Sequence, residues 1–360
     1  MPVAEPFADV HTIAVLRGGG LGDLLFTLPA LDGLRATYPA ARIVLLGTRV
    51  AQEVFADRPG PVDRVHVLPV AEGVHEPAST MAATPEADFS RAMAELDIDL
   101  ACQLHGGGRY SNPFTLALGA RHSIGTRTPD AAELERWLPY VYYQHEVARW
   151  LEVVTLAGVP GAITEPRLQT TAAERETGAG RWAAPGRPLL VLHPGATDPR
   201  RRWPIERFAQ LARRAAGEGM TVVTVGSRAD ADAADAVASY AAHARVVSAA
   251  DALTLSELIG LLWSASAFVG NDSGPRHLAQ AVGTPTVGVF WAGNVINGAP
   301  FGRAHHRVQI SWITACPVCG RDVTQVGWTA PRCAHDVSFV ADIATDVVYD
   351  DLAAVIRSRP

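Results

Sequence analysis

The chain has 360 residues, of which 48% are hydrophobic and 19% are charged, which is enough for two domains of ordinary size, each with its own core. Its formal net charge is −6 and no long basic run is present, which argues against nucleic acid as the main partner. All 31 basic residues are arginine, so we expect arginine to supply the cationic groups of any site, in a planar form suited to phosphate.

The first residues lack both the basic and the apolar segment of a secretion signal. No uninterrupted apolar stretch approaches the ~18 residues that span a bilayer. We therefore expect a cytoplasmic protein without a transmembrane segment. Peripheral contact with an inner membrane stays open.

Apolar runs alternate with helical patterns along both halves of the chain, which is typical of parallel α/β sheets. The first sheet is predicted to contain strands at 11–16, 42–46, 64–68 and 100–104. The second is predicted to contain strands at 189–192, 221–225, 246–247, 267–269 and 286–290. Residues 158–188, rich in Gly, Pro, Ala and Thr, are interpreted as the interdomain connection.

A glycine-rich loop follows the first predicted strand. It contains Gly18, Gly19, Gly20 and Gly22, and Asp23 stands where a dinucleotide fingerprint has its last glycine. The sequence therefore disfavours nicotinamide binding, although small residues let a substrate approach the backbone closely. From its position alone, near the start of the next helix, Asp23 is a dipole-compensating cap.

Two strand-to-helix turns in the second half indicate an anion site. The strand 189–192 leads into an arginine cluster at 200–202 and then a helix predicted over 205–216, and the strand 267–269 leads into Asp272, Ser273 and Gly274. Free N–H groups and the positive end of a helix dipole bind a pyrophosphate there. Ordinary helix capping by Asp272 or Ser273 also explains the pattern. In a doubly wound sheet both turns lie at the edge where ligands bind.

Taken together, these motifs resemble glycosyltransferase family 9, the ADP-heptose heptosyltransferases. The resemblance covers roughly residues 12 to 290 and is carried by segments at 15–31, 99–106, 145–151, 191–204 and 272–278. It implies an α/β fold of the GT-B class, with two doubly wound Rossmann-like domains facing each other across a cleft. Residues 1–165 would form the acceptor-binding domain and 166–335 the nucleotide-sugar-binding domain, with 336–360 a C-terminal segment that returns toward the first.

The resemblance implies an inverting transfer of a heptose, or a related sugar, from an ADP-sugar to an acceptor hydroxyl. Asp23 matches the proposed catalytic base of the family and would take the proton of that hydroxyl. Gly19, Gly20 and Gly22 would line the acceptor side. The sequence does not identify the acceptor. A glycan, a lipid-linked molecule such as lipopolysaccharide core, a protein hydroxyl and a small metabolite all stay open.

On the donor side, the leaving diphosphate needs fixed hydrogen-bond donors. Arg201, the Thr197 hydroxyl and the backbone at Ser273 and Gly274 would supply them, with Arg202 as a second candidate. Arginine and a helix terminus replace a divalent ion, so we expect no cofactor for catalysis.

Four further residues are predicted to bind the ADP-sugar, because they lie at or within motifs that match the family. Asp272 would bind hydroxyls of the transferred sugar, and His277, one turn into the helix, would orient the loop. Asp230 would receive the ribose, although surface exposure explains this acid nearly as well. Leu253 would line the adenine pocket, although a core position explains it equally.

Three cysteines and a histidine near the C-terminus predict a structural metal site. Cys316 and Cys319 form a C-x-x-C pair, and Cys333 and His335 follow, a set for which zinc is the default. Some family members that glycosylate autotransporters carry a cysteine-bound iron finger in a similar place, so zinc and iron both stay open. So do free thiols and a Cys316–Cys319 disulfide. Cys102, inside an apolar strand, is expected to be a small buried hydrophobe.

Two alternatives to the heptosyltransferase reading are kept. One is a transferase of the same fold that uses another sugar nucleotide. The other is a noncatalytic sugar-nucleotide-binding protein that retains the fold.

Overall fold

The computed structural model describes residues 3–77, 83–162, 165–182, 186–324 and 332–357. The chain divides into two compact units, Met1–Gln169 and Thr170–Pro360. The unit boundary falls inside the stretch 158–188 that we interpreted as a connection. Within the described ranges, no helix combines the length and the apolar character that crossing a membrane requires.

The first unit contains a parallel sheet of six strands in the order β3-β2-β1-β4-β5-β6. Its strands are β1 Thr12–Leu16, β2 Arg42–Gly47, β3 Arg64–Val67, β4 Leu100–Gln103, β5 His122–Arg127 and β6 Arg136–Pro139. Its helices are α1 Leu21–Leu25, α2 Leu28–Thr37, α3 Arg49–Phe55, α4 Glu86–Ala94, α5 Ser111–Ala117 and α6 Glu146–Thr155. Strands β1, β2 and β4 form the buried centre of the sheet, as their apolar runs predict.

The second unit repeats this strand order, as β12-β11-β10-β7-β8-β9. Its strands are β7 Leu189–His193, β8 Thr221–Thr224, β9 Val246–Ser248, β10 Ala267–Asn271, β11 Thr286–Trp291 and β12 His306–Ser311. Its helices are α7 Ala172–Trp182, α8 Ile205–Gly217, α9 Ala231–Ala241, α10 Leu255–Ser264, α11 Gly274–Ala281, α12 Ala292–Gly298 and α13 Thr345–Arg357.

Both sheets therefore have the 3-2-1-4-5-6 order of a doubly wound fold, as predicted. In this arrangement the order in which strands are added to the sheet reverses between the first and fourth strands, and ligands bind outside the carboxyl ends of those two strands. The reversal lies between β1 and β4 in the first unit and between β7 and β10 in the second. These are the turns in which the sequence placed Asp23 and Asp272.

Three strands, β5, β6 and β12, and the helices α7 and α13 were absent from the predicted elements. Strands β6 and β12 are sheet edges, and β5 pairs with β6; all three mix charged or polar residues with apolar ones, unlike a buried parallel strand. Helix α7 lies in the presumed connection, and α13 packs against α8, β11 and β12. Helix α13 of the C-terminal segment thus has its contacts with α8, β11 and β12 in the second unit, and a return of this segment toward the first domain stays a prediction.

Helices α7 and α10 pack with their backbones in contact. A Cβ on Gly260 would lie 2.0 Å from the carbonyl oxygen of Glu174, and one on Gly178 would lie 2.0 Å from that of Gly260. Only glycine permits this approach, because neither backbone can move away without unpacking its helix.

We predict that Gly260→Ala lowers the free energy of unfolding of the second unit by about 1–3 kcal/mol through overpacking, although alanine gains roughly 1 kcal/mol in helix propensity. Urea denaturation measures the change. Gly217→Ala, at the end of α8 where a Cβ meets no atom within 4 Å, is the matched control and should be neutral or slightly stabilising. Equal stability of the two variants would contradict the prediction.

Candidate functional site

In the first unit, the loop between β1 and α1 places a carboxylate at the reversal point of the sheet. Gly19 has φ +90°, and a Cβ there would lie 2.7 Å from Asp23 Oδ2, so the turn requires glycine at this position. Asp23 is the third residue of α1, and its Oδ2 accepts a hydrogen bond of 3.0 Å from the Gly20 N–H. The Asp23 side chain is 50% exposed, so its carboxylate is accessible to a ligand.

A buried arginine fixes the other side of this carboxylate. Arg17 Nη2 donates to Asp23 Oδ1 at 3.0 Å, and Arg17 Nε donates to the Asp23 carbonyl oxygen at 3.0 Å. The Arg17 guanidinium also donates to the Leu104 carbonyl oxygen at 2.7 Å and lies over the Trp150 ring. Arg17 therefore ties β1, the end of β4 and α1 together around Asp23.

A second acid and a second arginine complete the cluster. Glu146, the first residue of α6, places Oε2 3.5 Å from Arg17 Nη2 and forms an ion pair with Arg149. Arg149 is buried and donates to the carbonyl oxygens of Val141 and Tyr142. Two carboxylates thus balance two guanidinium groups, which reduces the cost of burying the charges.

Arg17 and Glu146 were missing from the predicted site. Both residues lie in the motifs that carry the family resemblance, but they are 129 positions apart (146 − 17). Sequence alone does not bring these positions together; the fold of the first unit does, by placing the start of α6 beside the end of β1.

In the second unit, one buried amide holds the two turns of the reversal point together. Asn271, at the end of β10, donates through Nδ2 to the carbonyl oxygens of Pro194 and Gly195, at 2.7 and 3.2 Å. Its Oδ1 accepts from the Trp203 N–H at 2.9 Å. The turn after β7, the arginine cluster and the turn after β10 are therefore joined at a side chain with no solvent exposure.

The predicted donor residues Arg201, Asp272 and His277 lie in direct contact. Arg201 Nη1 lies 3.3 Å from Asp272 Oδ2, and His277 Nε2 lies 3.1 Å from Asp272 Oδ1. Burial raises the pKa of Asp272, but the His277 hydrogen bond and the charges of Arg201 and Arg276 outweigh burial and lower that pKa to about 2. Asp272 is therefore ionised throughout the physiological range.

Helix α11 begins beside this carboxylate without a side-chain cap. Its N-cap residue Ser273 is extended, and the Ser273 hydroxyl contacts His193 Nδ1 at 3.0 Å and the Asn271 carbonyl oxygen at 3.2 Å. The Ser273 hydroxyl therefore does not cap the Gly274 N–H. Pro275 has no N–H, and the Arg276 and His277 N–H groups donate to the Ser273 carbonyl oxygen at 3.1 and 3.3 Å. An anion is the ligand such a helix terminus prefers.

Asp230 is linked to this turn through His193, which the sequence did not select as a site residue. His193 Nε2 lies 3.6 Å from Asp230 Oδ2, and a Cβ on Gly195 would lie 2.2 Å from Asp230 Oδ1. The pairing with His193 and the hydrogen bonds from Ser227 together outweigh the effect of burial and lower the pKa of Asp230 to about 2. In the sequence, His193 is the last residue of a buried strand, so nothing marked it as a site residue. Its contacts with Asp230 and Ser273 form only because the turns after β8 and β10 fold against it.

The remaining predicted donor residues lie on the loops around this turn. Arg202 is exposed and donates from Nε to the Ala196 carbonyl oxygen at 2.9 Å, and Thr197 is exposed. Leu253 is partly buried and immediately precedes Thr254, the N-cap of α10.

The cysteine cluster forms as the sequence predicted. Single ligand atoms of Cys316, Cys319, Cys333 and His335 lie within 4.8 Å of one another, and Cys316 Sγ is 3.8 Å from His335 Nδ1. The four cysteines of the chain are free thiols. Hydrogen bonds led by that from the Cys319 backbone lower the pKa of the Cys316 thiol. Three sulfur atoms and one imidazole nitrogen at this spacing could hold a tetrahedral metal ion.

Two doubly wound parallel sheets, each with charged side chains gathered at its reversal point, are the architecture of GT-B transferases. The family model of glycosyltransferase family 9 (heptosyltransferase) matches residues 88–318. Lipopolysaccharide heptosyltransferase 2 of Escherichia coli K12 is 30% identical over 298 residues, which cover 77% of this chain and 82% of that protein. The chain belongs to glycosyltransferase family 9, and the predicted fold class and enzyme class are confirmed.

Solved structures agree with the fold. The family 9 glycosyltransferase of Veillonella parvula superposes with a TM-score of 0.77 at 18% identity, covering 100% of this chain and 99% of that one. A dodecameric iron-containing heptosyltransferase of enterotoxigenic E. coli, in complex with ADP-D-β-D-heptose, superposes with a TM-score of 0.57 at 14% identity, covering 98% and 78%.

We predict that Asp230 stabilises the second unit only while it is ionised. Its folded pKa of about 2 lies below its ordinary value of 3.8, so its contribution, on the order of 2 kcal/mol, is present above pH ~4 and is lost as the pH falls toward 2. The difference in unfolding free energy between wild type and Asp230→Asn, measured by urea denaturation, should shrink over that interval. Asp232→Asn, exposed two residues later, is the control. Parallel curves for wild type and Asp230→Asn would contradict the prediction.

Proposed function

We propose that this glycosyltransferase moves a heptose from ADP-heptose to a hydroxyl of lipopolysaccharide core, with inversion at the anomeric carbon. The proposal rests on one observation above the others. The half-exposed Asp23 carboxylate is held by Arg17 and the Gly20 N–H at the reversal point of its sheet. The relatives named above, a lipopolysaccharide heptosyltransferase and an enzyme solved with ADP-D-β-D-heptose, support this donor and this acceptor.

In the proposed reaction, Asp23 is the general base. The acceptor oxygen attacks the anomeric carbon of the heptose while its proton passes to an Asp23 oxygen, and the bond from that carbon to the diphosphate oxygen breaks with its electron pair remaining on ADP. Each Asp23 oxygen accepts one hydrogen bond from the protein, and a carboxylate oxygen has a second lone pair free for the hydroxyl. The hydrogen bonds from Arg17 and Gly20 thus orient the Asp23 carboxylate and leave each of its oxygens a lone pair for the acceptor hydroxyl.

The second unit would hold the donor. Arg201 and the backbone at Ser273 and Gly274 would bind the diphosphate, and their attraction would grow as negative charge develops on the leaving group. Arg202 and Thr197 would contact the same phosphates from their exposed positions. Asp272, whose two oxygens contact Arg201 and His277, would accept hydrogen bonds from hydroxyl groups of the heptose.

Asp230 and Leu253 would take the nucleoside. The side chain of Asp230 keeps 17% of its surface exposed, so its carboxylate can accept hydrogen bonds from the hydroxyl groups of a ribose. Leu253, partly buried before α10, would offer an apolar contact to the adenine. The glycines Gly19, Gly20 and Gly22 would let the acceptor approach the backbone beside Asp23. With Arg201 at the phosphates, the transfer needs no divalent ion.

We predict that Asp23→Asn lowers kcat by about 10²- to 10⁴-fold, because the amide cannot take the proton, and leaves the Kd for ADP-heptose nearly unchanged. Turnover with a lipopolysaccharide-core acceptor and calorimetry with the donor measure the two effects. Glu53→Gln, an exposed acid of α3, should retain wild-type kinetics. Near-normal turnover of Asp23→Asn would remove Asp23 from the mechanism, and tight donor binding without turnover in the wild type would favour a noncatalytic binding protein.

We also propose that the cysteine cluster holds one structural zinc or iron ion. Cys316 and Cys333 are buried in the core of the second unit, beside Trp291 and Phe339, whereas Cys319 is exposed. An ion bound by these residues would join the core to the knuckle at 316–319 and would add to the folding free energy. The E. coli relative, 14% identical in sequence, is an iron-containing heptosyltransferase. That relative supports a metal ion in this chain but does not select between zinc and iron.

We predict about one Zn or Fe per chain by elemental analysis of freshly purified, unchelated protein. Cys319→Ser should lower both the metal content and the melting temperature, while the Kd for ADP-heptose is retained, because a structural ion contributes to folding. Cys102→Ala removes a buried thiol outside the cluster and should leave the metal content unchanged. Protein with no stoichiometric metal and four titratable thiols would refute the site.

A further inference from the structure

Arg276, the third residue of α11, is a charged side chain with no solvent exposure. Its Nη1 donates to Gln280 Oε1 at 3.0 Å, and its Nη2 donates to the Gly298 carbonyl oxygen at 3.1 Å and contacts His277 Nδ1. The guanidinium also lies over the Phe290 ring. Neither the base nor the proposed phosphate contacts require a charge here.

The chemistry of the two partners decides which nitrogen of His277 carries the proton. A guanidinium has only donors and stays charged in proteins, so His277 Nδ1, which faces it, must accept. A neutral imidazole then holds its single proton on Nε2. That nitrogen lies 3.1 Å from Asp272 Oδ1, so the His277 N–H donates to the carboxylate.

We infer that Arg276 is a positioning residue that selects the Nε2–H tautomer of His277 and thereby orients Asp272 for the donor sugar. The contacts run in one direction, from Arg276 to His277 to Asp272, and Arg201 donates to the second oxygen of Asp272. With the other tautomer, an unprotonated Nε2 would face the carboxylate, and Asp272 would lose a donor and turn away. The inference rests on the proposed function only in assigning Asp272 to the sugar.

A purely structural role for Arg276 makes a different prediction. If Arg276 only filled space between α11, Phe290 and Gly298, a methionine of similar length would replace it without changing the imidazole. Its charge does reach its neighbours. Burial, followed by the Arg276 charge, lowers the pKa of His306 to about 4. His306 thus provides a second ring whose spectrum reports on the same guanidinium.

The test is a long-range ¹H–¹⁵N spectrum of the imidazole rings in protein labelled with [¹⁵N]histidine, with the His277 signals assigned by their loss in His277→Gln. We expect the Nε2–H pattern in wild type and in Arg276→Lys, which keeps a cationic donor. In Arg276→Met we expect the Nδ1–H form to become populated and the Kd for ADP-heptose to rise about tenfold, as the loss of one oriented hydrogen bond implies.

An Nδ1–H form or an imidazolium at His277 in the wild type would overturn the inference, and this result needs no variant to fold. An unchanged Nε2–H pattern in a folded Arg276→Met protein would also overturn it. If wild type fails to bind ADP-heptose, the proposed function fails, whereas the spectrum still decides the tautomer.

Discussion

The carboxamide of Asn271 is the interaction on which the donor half depends. It binds two carbonyl oxygens of the turn after β7 and the backbone N–H of Trp203. Any other side chain of that size would leave buried groups without partners: an aspartate lacks the N–H donors, and a leucine lacks both donors and acceptor. By joining the turns it sets the spacing between Arg201, which precedes Trp203, and Asp272, which follows Asn271.

The first unit solves the same problem with charge instead of an amide. Arg17 bridges β1, the end of β4 and α1. Glu146 forms ion pairs with both Arg17 and Arg149. In both units, then, one buried polar side chain at the end of a central strand holds the loops of the reversal point. Each unit keeps a carboxylate close to that side chain, but only Asp23 is exposed enough to exchange a proton with a substrate.

Much of this arrangement could be predicted from sequence, and the exceptions have physical causes. The central strands are continuous apolar runs, so β1, β4, β7 and β10 were evident; β6 and β12, at sheet edges, are mixed in polarity and were not. Motifs after strand ends identified both acids, because Asp272 follows β10 directly and Asp23 follows the glycine loop after β1. Arg17, Glu146 and His193 act through partners far along the chain, and no periodicity reports such partners. The Cys316–His335 cluster was predictable because ligand spacing is itself a local signal.

The absence of lysine gives the buried network of this enzyme a property of its own. An ammonium group in a dry environment can lose its proton and leave the surrounding carboxylates to titrate, whereas Arg17, Arg149 and Arg276 keep their charge at every pH the cell can reach. Lysine acetylation cannot neutralise them either. Fixed positive charges therefore surround the Asp272 carboxylate throughout the physiological pH range, and the sequence offers no lysine amine whose acylation could remove them.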